Sequence, residues 1–262
     1  MANKIKFNIN GDTFNSFVSK LSDLSSIDDS VRLKIDKDDV LMYSILGNQI
    51  LLAFKNFLIP TKDLIDVKDD MDYQLDLVIP NVKKFVKNLS LIKDVNKVSI
   101  EFNYKESSDD DSIYLVRYFQ IACGRFKINW VGGEHNNETR EINKEMLEKN
   151  LNIKNSKWSF SLTKDDFTDI KKLSGINSER IINISIDNGI VNFSEKSAWD
   201  LEVDNLENDR SSNLIFNKRF LNCINGDKEK ITFSIFETFM LVKDDESNLM
   251  LSFEQDFDDD DV

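Results

Sequence analysis

The feature that most constrains this chain is that it runs twice through one succession of elements. In the first half a strand-like stretch at residues 4–9 leads into a helical pattern that begins at Gly11. Strand-like runs follow at residues 31–36, 41–46, 49–57 and 73–79, then a helix at 80–92, then runs at 97–104, 113–122 and 125–131. The second half repeats that order: a strand at 158–162, a helix at 164–174, strands at 180–187, 190–195, 198–204 and 213–216, a short helix at 217–225, and strands at 230–236, 238–243 and 248–255. Strands are assigned from period-two alternation and helices from apolar residues at i, i+3, i+4 and i+7. Individual residues echo as well. Lys20-Leu21-Ser22 matches Lys172-Leu173-Ser174, and Lys83-Lys84-Phe85-Val86 matches Lys218-Arg219-Phe220-Leu221. A duplication of this kind predicts two copies of one α+β unit. The expected division is residues 1–132, a polar connector 133–156, residues 157–255, and an acidic tail 256–262.

The helices carry the second signal. In residues 80–92, Val82, Phe85, Val86 and Leu89 form one apolar stripe, and Pro80 stands at a plausible helix start. At about 100° per residue, Lys83, Lys84 and Lys87 fall almost opposite that stripe. Lys93 follows just beyond, and no acid precedes Asp94. One such face alone reads more readily as solvated surface than as a binding surface. The others repeat it with less purity. The helix from Gly11 turns Phe14, Phe17, Val18, Leu21 and Leu24 inward and sets Lys20 beside Asp23 on the outside. That at 164–174 buries Phe167, Ile170 and Leu173, exposes Lys164, Lys171 and Lys172 with Asp165 and Asp169 between them, has a capping box at Thr163 and Asp166, and closes at Gly175. The last turns Phe220, Leu221 and Ile224 in and Lys218 and Arg219 out. The whole chain carries a formal charge of −13, which leaves room for a localised basic surface and for no general one.

Other classes of function find little support. Cys123 and Cys223 lie too far apart for a disulfide framework, which suits a reducing, intracellular compartment. The N-terminus is polar, and no apolar run approaches the ~20 residues that span a bilayer. His135 is the single histidine and has no cysteine beside it, so no zinc site is expected. The carboxylate runs at residues 69–70, 109–111 and 258–261 are consecutive, unlike the single convergent carboxylates of metal-dependent nucleases. No phosphate-binding glycine loop, nucleophile elbow or Cys/His pair is present. Neither an enzyme nor a resident cofactor or metal is expected.

Two copies of this element order in 262 residues, with basic helices and a polar connector, resemble the DNA sliding clamps, of the type of proliferating cell nuclear antigen and the T4-like phage clamps. The resemblance implies two similar domains, each with two helices packed on antiparallel sheets, and a ring-forming homotrimer around duplex DNA. It implies a processivity factor that tethers a DNA polymerase and is opened by a clamp loader. Lys20, Lys83, Lys84, Lys87, Lys164, Lys171, Lys172, Lys218 and Arg219 would line the pore. Ile45, Ile50, Leu52 and Phe253, with Phe257, would form the pocket for partner peptides, although residues 254–256 replace the family's proline-containing segment. Ring closure would pair the edge strand at 125–131 with the strand at 189–195 of the next subunit. Sparse Ala, Pro and Gly beside abundant Lys, Asn, Ile and Asp fit an AT-rich genome, and hence a phage or viral replisome in a host cytoplasm.

The sequence leaves two alternatives. One is a single-stranded DNA-binding protein with an acidic, partner-recruiting tail and Tyr114, Tyr118, Phe119 and Trp130 as stacking platforms. The other is a clamp-like accessory subunit for transcription or repair.

Overall fold

The computed structural model describes residues 3–9, 11–47, 52–66, 71–92, 98–134, 153–176, 178–195, 198–206 and 211–253, with positions 142, 145, 147 and 149. Ile50, Phe257, Lys93, His135, most of the connector and the acidic tail lie outside them. The chain divides into two compact units, Met1–Gln49 with Phe54–Glu141, and Ile50–Ala53 with Ile142–Val262.

In the first unit β1 (Asn3–Ile9) leads into α1 (Gly11–Leu24), followed by β2 (Ser30–Ile35), β3 (Asp39–Leu46) and β4 (Ala53–Pro60). A short α2 (Thr61–Leu64) precedes β5 (Gln74–Pro80), α3 (Val82–Leu89), β6 (Val98–Glu106), β7 (Ile113–Cys123) and β8 (Phe126–Val131). The strands lie in the order β1-β6-β7-β5-β2-β3-β4, with β8 also paired to β7. The fold is thus two four-strand groups, β4-β3-β2-β5 and β8-β7-β6-β1. They are joined where Gln74–Leu77 of β5 runs parallel to Ile113–Val116 of β7.

The second unit repeats this strand for strand. β9 (Trp158–Thr163) enters α4 (Lys164–Ser174), then β10 (Ile181–Asp187), β11 (Ile190–Glu195), β12 (Trp199–Asn205) and β13 (Ser212–Asn217). A 3-10 helix (Lys218–Cys223) leads to β14 (Lys230–Ile235), β15 (Phe239–Lys243) and β16 (Ser247–Ser252). Its groups are β12-β11-β10-β13 and β16-β15-β14-β9, the same orders shifted by eight strands. Among the described residues no parallel pairing joins β13 to β15. β15 has five residues where β7 has 11, so it lacks the extension that reaches the other group.

Local chemistry explains the elements. Thr163 Oγ1 accepts from Asp166 N at 3.2 Å while Asp166 Oδ2 accepts from Thr163 N at 2.9 Å, the reciprocal capping box that starts α4. The β10–β11 hairpin turns on Asn188 and Gly189, both at positive φ, as a two-residue turn between right-twisted strands requires. In the first unit Phe7, Phe14, Leu21, Phe85, Phe102 and Phe119 belong to one buried cluster that holds α1 and α3. The second unit closes around Phe160, Phe193 and Phe233, with Phe160 stacked on Phe233 at 5.2 Å between centroids.

Several sequence expectations are corrected. Pro80 ends β5 instead of opening the helix, and Asn81, at φ 53°, stands between them as the N-cap. Its proline ring removes an N–H where a strand ends as readily as where a helix begins. The strand expected at 49–57 occupies Ala53–Pro60, and the last strand stops at Ser252. Gly175 caps α4 with right-handed backbone, φ −82°, so its freedom to adopt positive φ is not used there. The element at 217–225 is a 3-10 helix, and its Lys218 turns inward. The segment 189–195 is no edge: β11 has β10 on one side and β12 on the other, which leaves β12 outermost.

Candidate nucleic-acid interface

The cations of α3 stand together on one face of the helix. The buried stripe is Val82, Phe85 and Leu89, and Lys83, Lys84 and Lys87 are all exposed. No acid lies in the first turn, and no carboxylate among the described residues pairs with the ammonium group of any of the three lysines, although Asp29 Oδ1 accepts from the Lys83 backbone N–H at 3.3 Å. Lys87 in the last turn also sits at the negative end of the helix dipole. Phe85 anchors the helix edge-on against Phe119 at 5.3 Å, and Trp130 packs on the same ring at 5.0 Å.

Beside α3, α1 contributes Lys20, whose ammonium lies 3.2 Å from Ser16 Oγ and 5.2 Å above the Phe57 ring. Asp23, which the sequence sets beside Lys20, accepts from Lys55 Nζ at 2.6 Å. Lys55 is buried, so that carboxylate also serves an inward ammonium.

The basic residues of the second unit are more varied. Lys164 pairs with Asp227 at 3.4 Å and Lys172 with Asp169 at 3.0 Å, both well exposed pairs of the kind worth less than about 1 kcal/mol. Lys171 lies over the Phe167 ring and Arg219 over the Phe220 ring, at 5.2 and 4.7 Å from the centroids. Lys218 differs from all of these. Its Nζ donates to Ser174 O at 2.7 Å and to Glu195 Oε1 at 2.8 Å, and the Glu195 carboxylate is fully buried.

One cation escapes sequence reading. Arg180 precedes β10 in a loop, where no helical period marks it, and the Lys218 N–H bonded to its carbonyl at 2.8 Å ties it to the 3-10 helix. Together with Lys171, Lys218 and Arg219 it borders a groove of about 460 Å³.

The expected partner pocket is only partly described. Ile45 is buried, 7% exposed, and belongs to the first unit's interior. Leu52 is 44% exposed and its carbonyl accepts from Ser252 N at 3.1 Å, which brings it beside Phe253. Ile50 and Phe257 lie outside the described residues.

The stacking platforms of the single-stranded alternative are largely occupied. Phe119 is buried, the Trp130 ring packs on Phe85 at 5.0 Å, and Tyr114 is sandwiched between Tyr73 and Tyr104 at 4.5 and 4.6 Å. A base needs a free ring face, and three of the four expected rings use theirs internally. Among the described residues no group of three or more His, Cys, Asp or Glu side chains is placed to hold a metal, and no helix is long and apolar enough to cross a membrane.

No protein-family model and no curated protein matches the sequence. Solved structures match the fold over nearly its whole length. The Helicobacter pylori beta clamp bound to a DNA ligase peptide has a TM-score of 0.65 at 12% identity, over 96% of this chain and 67% of that one. The DNA polymerase III subunit beta of Pseudomonas aeruginosa gives 0.66 at 8% identity, over 98% of this chain and 66% of the other. PCNA of Thermococcus kodakaraensis gives 0.62 at 12% identity, over 95% of this chain and 100% of that one. The chain has the clamp fold; it spans about two thirds of the bacterial proteins' length and the whole of the archaeal one's.

Proposed function

We propose that this protein is a DNA sliding clamp, a non-enzymatic processivity factor that encircles duplex DNA and tethers a DNA polymerase and other partners to it. The observation that carries this reading is the α3 face. Three exposed lysines whose ammonium groups pair with no carboxylate among the described residues stand on one helix of a chain of net charge −13, on a fold of the clamp type. Such a face attracts phosphates without reading bases, which lets a protein slide, because base contacts would fix it at one sequence. The acidic remainder repels DNA from other approaches.

The ring forms by head-to-tail strand pairing. The outer edge of β8 in one copy meets an outer edge in the second unit of the next, and β12 is the edge that β11 cannot supply. Phe126 and Val131 of β8 are 42% and 69% exposed, an apolar edge that a partner strand would cover. Three copies of a 30.4 kDa chain give a homotrimer of about 90 kDa. A clamp loader opens it, and partner peptides dock beside Leu52 and Phe253.

Light scattering tests the assembly. A mass near 90 kDa is expected, and a monomer at every concentration would remove the ring. The Lys83→Glu, Lys84→Glu double variant keeps that mass and loses stimulation of its polymerase. Normal stimulation would show that α3 does not face DNA. Stimulation of a transcription or repair enzyme in place of a polymerase would reassign the partner and leave the ring intact.

A further inference from the structure

We propose that the buried Glu195 carboxylate is the positioning group that holds β12 in place to receive the next subunit. This rests on the clamp reading and deepens it, since β12 is the edge at which the ring would close. Among the described residues β12 pairs with β11 alone, and the register of that pairing shifts between Val191 and Asn192. A strand with one neighbour and an interrupted ladder frays readily. A frayed edge does not present its N–H and C=O groups in line to a second strand.

The two ends of β12 are tied differently. At the far end Leu206 N donates to Gly189 O at 2.6 Å, a backbone bond that closes the ladder. At the near end Ala198 N donates to Glu195 O at 2.9 Å, and the Trp199 indole adds a side-chain bond, Nε1 to Glu195 Oε2 at 2.8 Å. Glu195 Oε1 accepts from Lys218 Nζ at 2.8 Å, and the same ammonium donates to Ser174 O at 2.7 Å. One fully buried anion therefore joins the start of the edge strand to the 3-10 helix and to the end of α4. Burying a carboxylate is costly, and an apolar pair of similar volume would serve stability as well or better. A charge kept in such a place fixes geometry, because its two oxygens accept along set directions where an apolar contact would let the strand shift. The internal repeat supplies the contrast. Lys83, the counterpart of Lys218 in the first unit, is exposed, and its ammonium pairs with no carboxylate among the described residues. In the second unit the matching cation is withdrawn from the basic surface and holds the β12 anchor.

The test measures self-association of the full chain by sedimentation velocity over a range of concentrations, with urea denaturation of the same samples. Trp199→Phe keeps an aromatic ring and removes the donor to Glu195. It should raise the concentration at which the assembly half-dissociates about 10-fold. Hydrogen exchange should quicken in β12 while β10, an inner strand of the same sheet, stays protected. The double replacement Glu195→Leu with Lys218→Met removes both buried charges together. It should match the parent closely in urea yet dissociate as readily as Trp199→Phe, because apolar packing restores stability without the direction of the hydrogen bonds. Parent-like association and exchange in Trp199→Phe would overturn the anchor and leave the ring standing. Recovery of association together with stability in the double replacement would also overturn it, by showing that Glu195 serves the core alone. A parent that is monomeric at every concentration would overturn both the anchor and the clamp reading.

Discussion

The Nζ of Lys218 lies 2.8 Å from Oε1 of Glu195, and the other carboxylate oxygen of Glu195 accepts from Trp199 Nε1 at 2.8 Å. A fully buried anion thus links the basic 3-10 helix to β12, the outermost strand of its sheet. Residues with no periodic relation in sequence form one unit, in which a cation drawn from the basic surface holds an edge strand in place.

Glu195→Ala should therefore destabilise the protein by about 2–4 kcal/mol, since it takes the carboxylate away from a partly buried ammonium and from an indole N–H. Glu195→Gln keeps an acceptor for Trp199 and should cost less. Urea denaturation of the two variants checks the order. Equal stability of Glu195→Ala and the parent would show that neither partner depends on the carboxylate.

Lys83→Ala, Lys84→Ala and Lys87→Ala should each leave stability within about 0.5 kcal/mol, because all three side chains are exposed. Each variant that removes a phosphate contact should lower the salt slope of duplex binding by about 0.9. Anisotropy titrations over a range of salt concentrations measure that slope. Three unaltered slopes would place DNA elsewhere.

The double variant Phe126→Asp with Val131→Asp replaces the two exposed apolar residues of β8 and should yield a folded 30.4 kDa monomer. Two carboxylates on that edge would repel an incoming strand, and the packed Ile128 and Trp130 of β8 stay unchanged. Light scattering beside a far-ultraviolet circular dichroism spectrum reads both points. Full assembly of this variant would exclude β8 from the interface.

Arg32 and Asp76 form a pair buried on both sides, joined from Nε to Oδ1 at 2.8 Å and from a terminal nitrogen to Oδ2 at 2.5 Å. Asp76→Ala alone should cost about 3–5 kcal/mol, because it removes the carboxylate from a buried guanidinium. The double replacement Arg32→Met with Asp76→Leu should recover most of that loss, and a double-mutant cycle by chemical denaturation decides it.

Lys228 donates to Asp245 at 2.8 Å, and this hydrogen bond, with a nearby Glu246 carboxylate, holds its pKa above the ordinary 10.5. A folded-state value raised above the unfolded one gives stabilisation that is fully present below the unfolded pKa and is lost as pH climbs through the folded value. The alkaline limb of the stability curve should therefore weaken in Asp245→Asn, while behaviour near neutrality changes little. NMR titration of the Lys228 side chain follows the same group directly, and an unchanged titration in Asp245→Asn would remove that carboxylate as the cause.

Much of the fold is legible because it is written in short-range periods. Phe14, Phe17, Leu21 and Leu24 repeat at helical spacing and are buried, and the hairpin at Asn188 and Gly189 follows from residues that tolerate positive φ. Lys83, Lys84 and Lys87 are legible for the same reason, since a helix with a buried stripe must expose its opposite face. The inward turn of Lys218 is not legible, because a six-residue 3-10 helix has no dependable outward face and its direction is set by a carboxylate 23 positions away. Arg180 carries no signal in sequence because a loop residue acquires its neighbours only when the chain closes.

The sequence by itself determined the duplicated order of strands and longer helices and the side of α1, α3 and α4 that meets water, because both depend on contacts within a few residues. Only the tertiary structure decided which strands are outermost, which carboxylate claims which cation, and where a groove opens. Those outcomes depend on pairings such as β11 with β12 and Lys218 with Glu195, which no local period encodes.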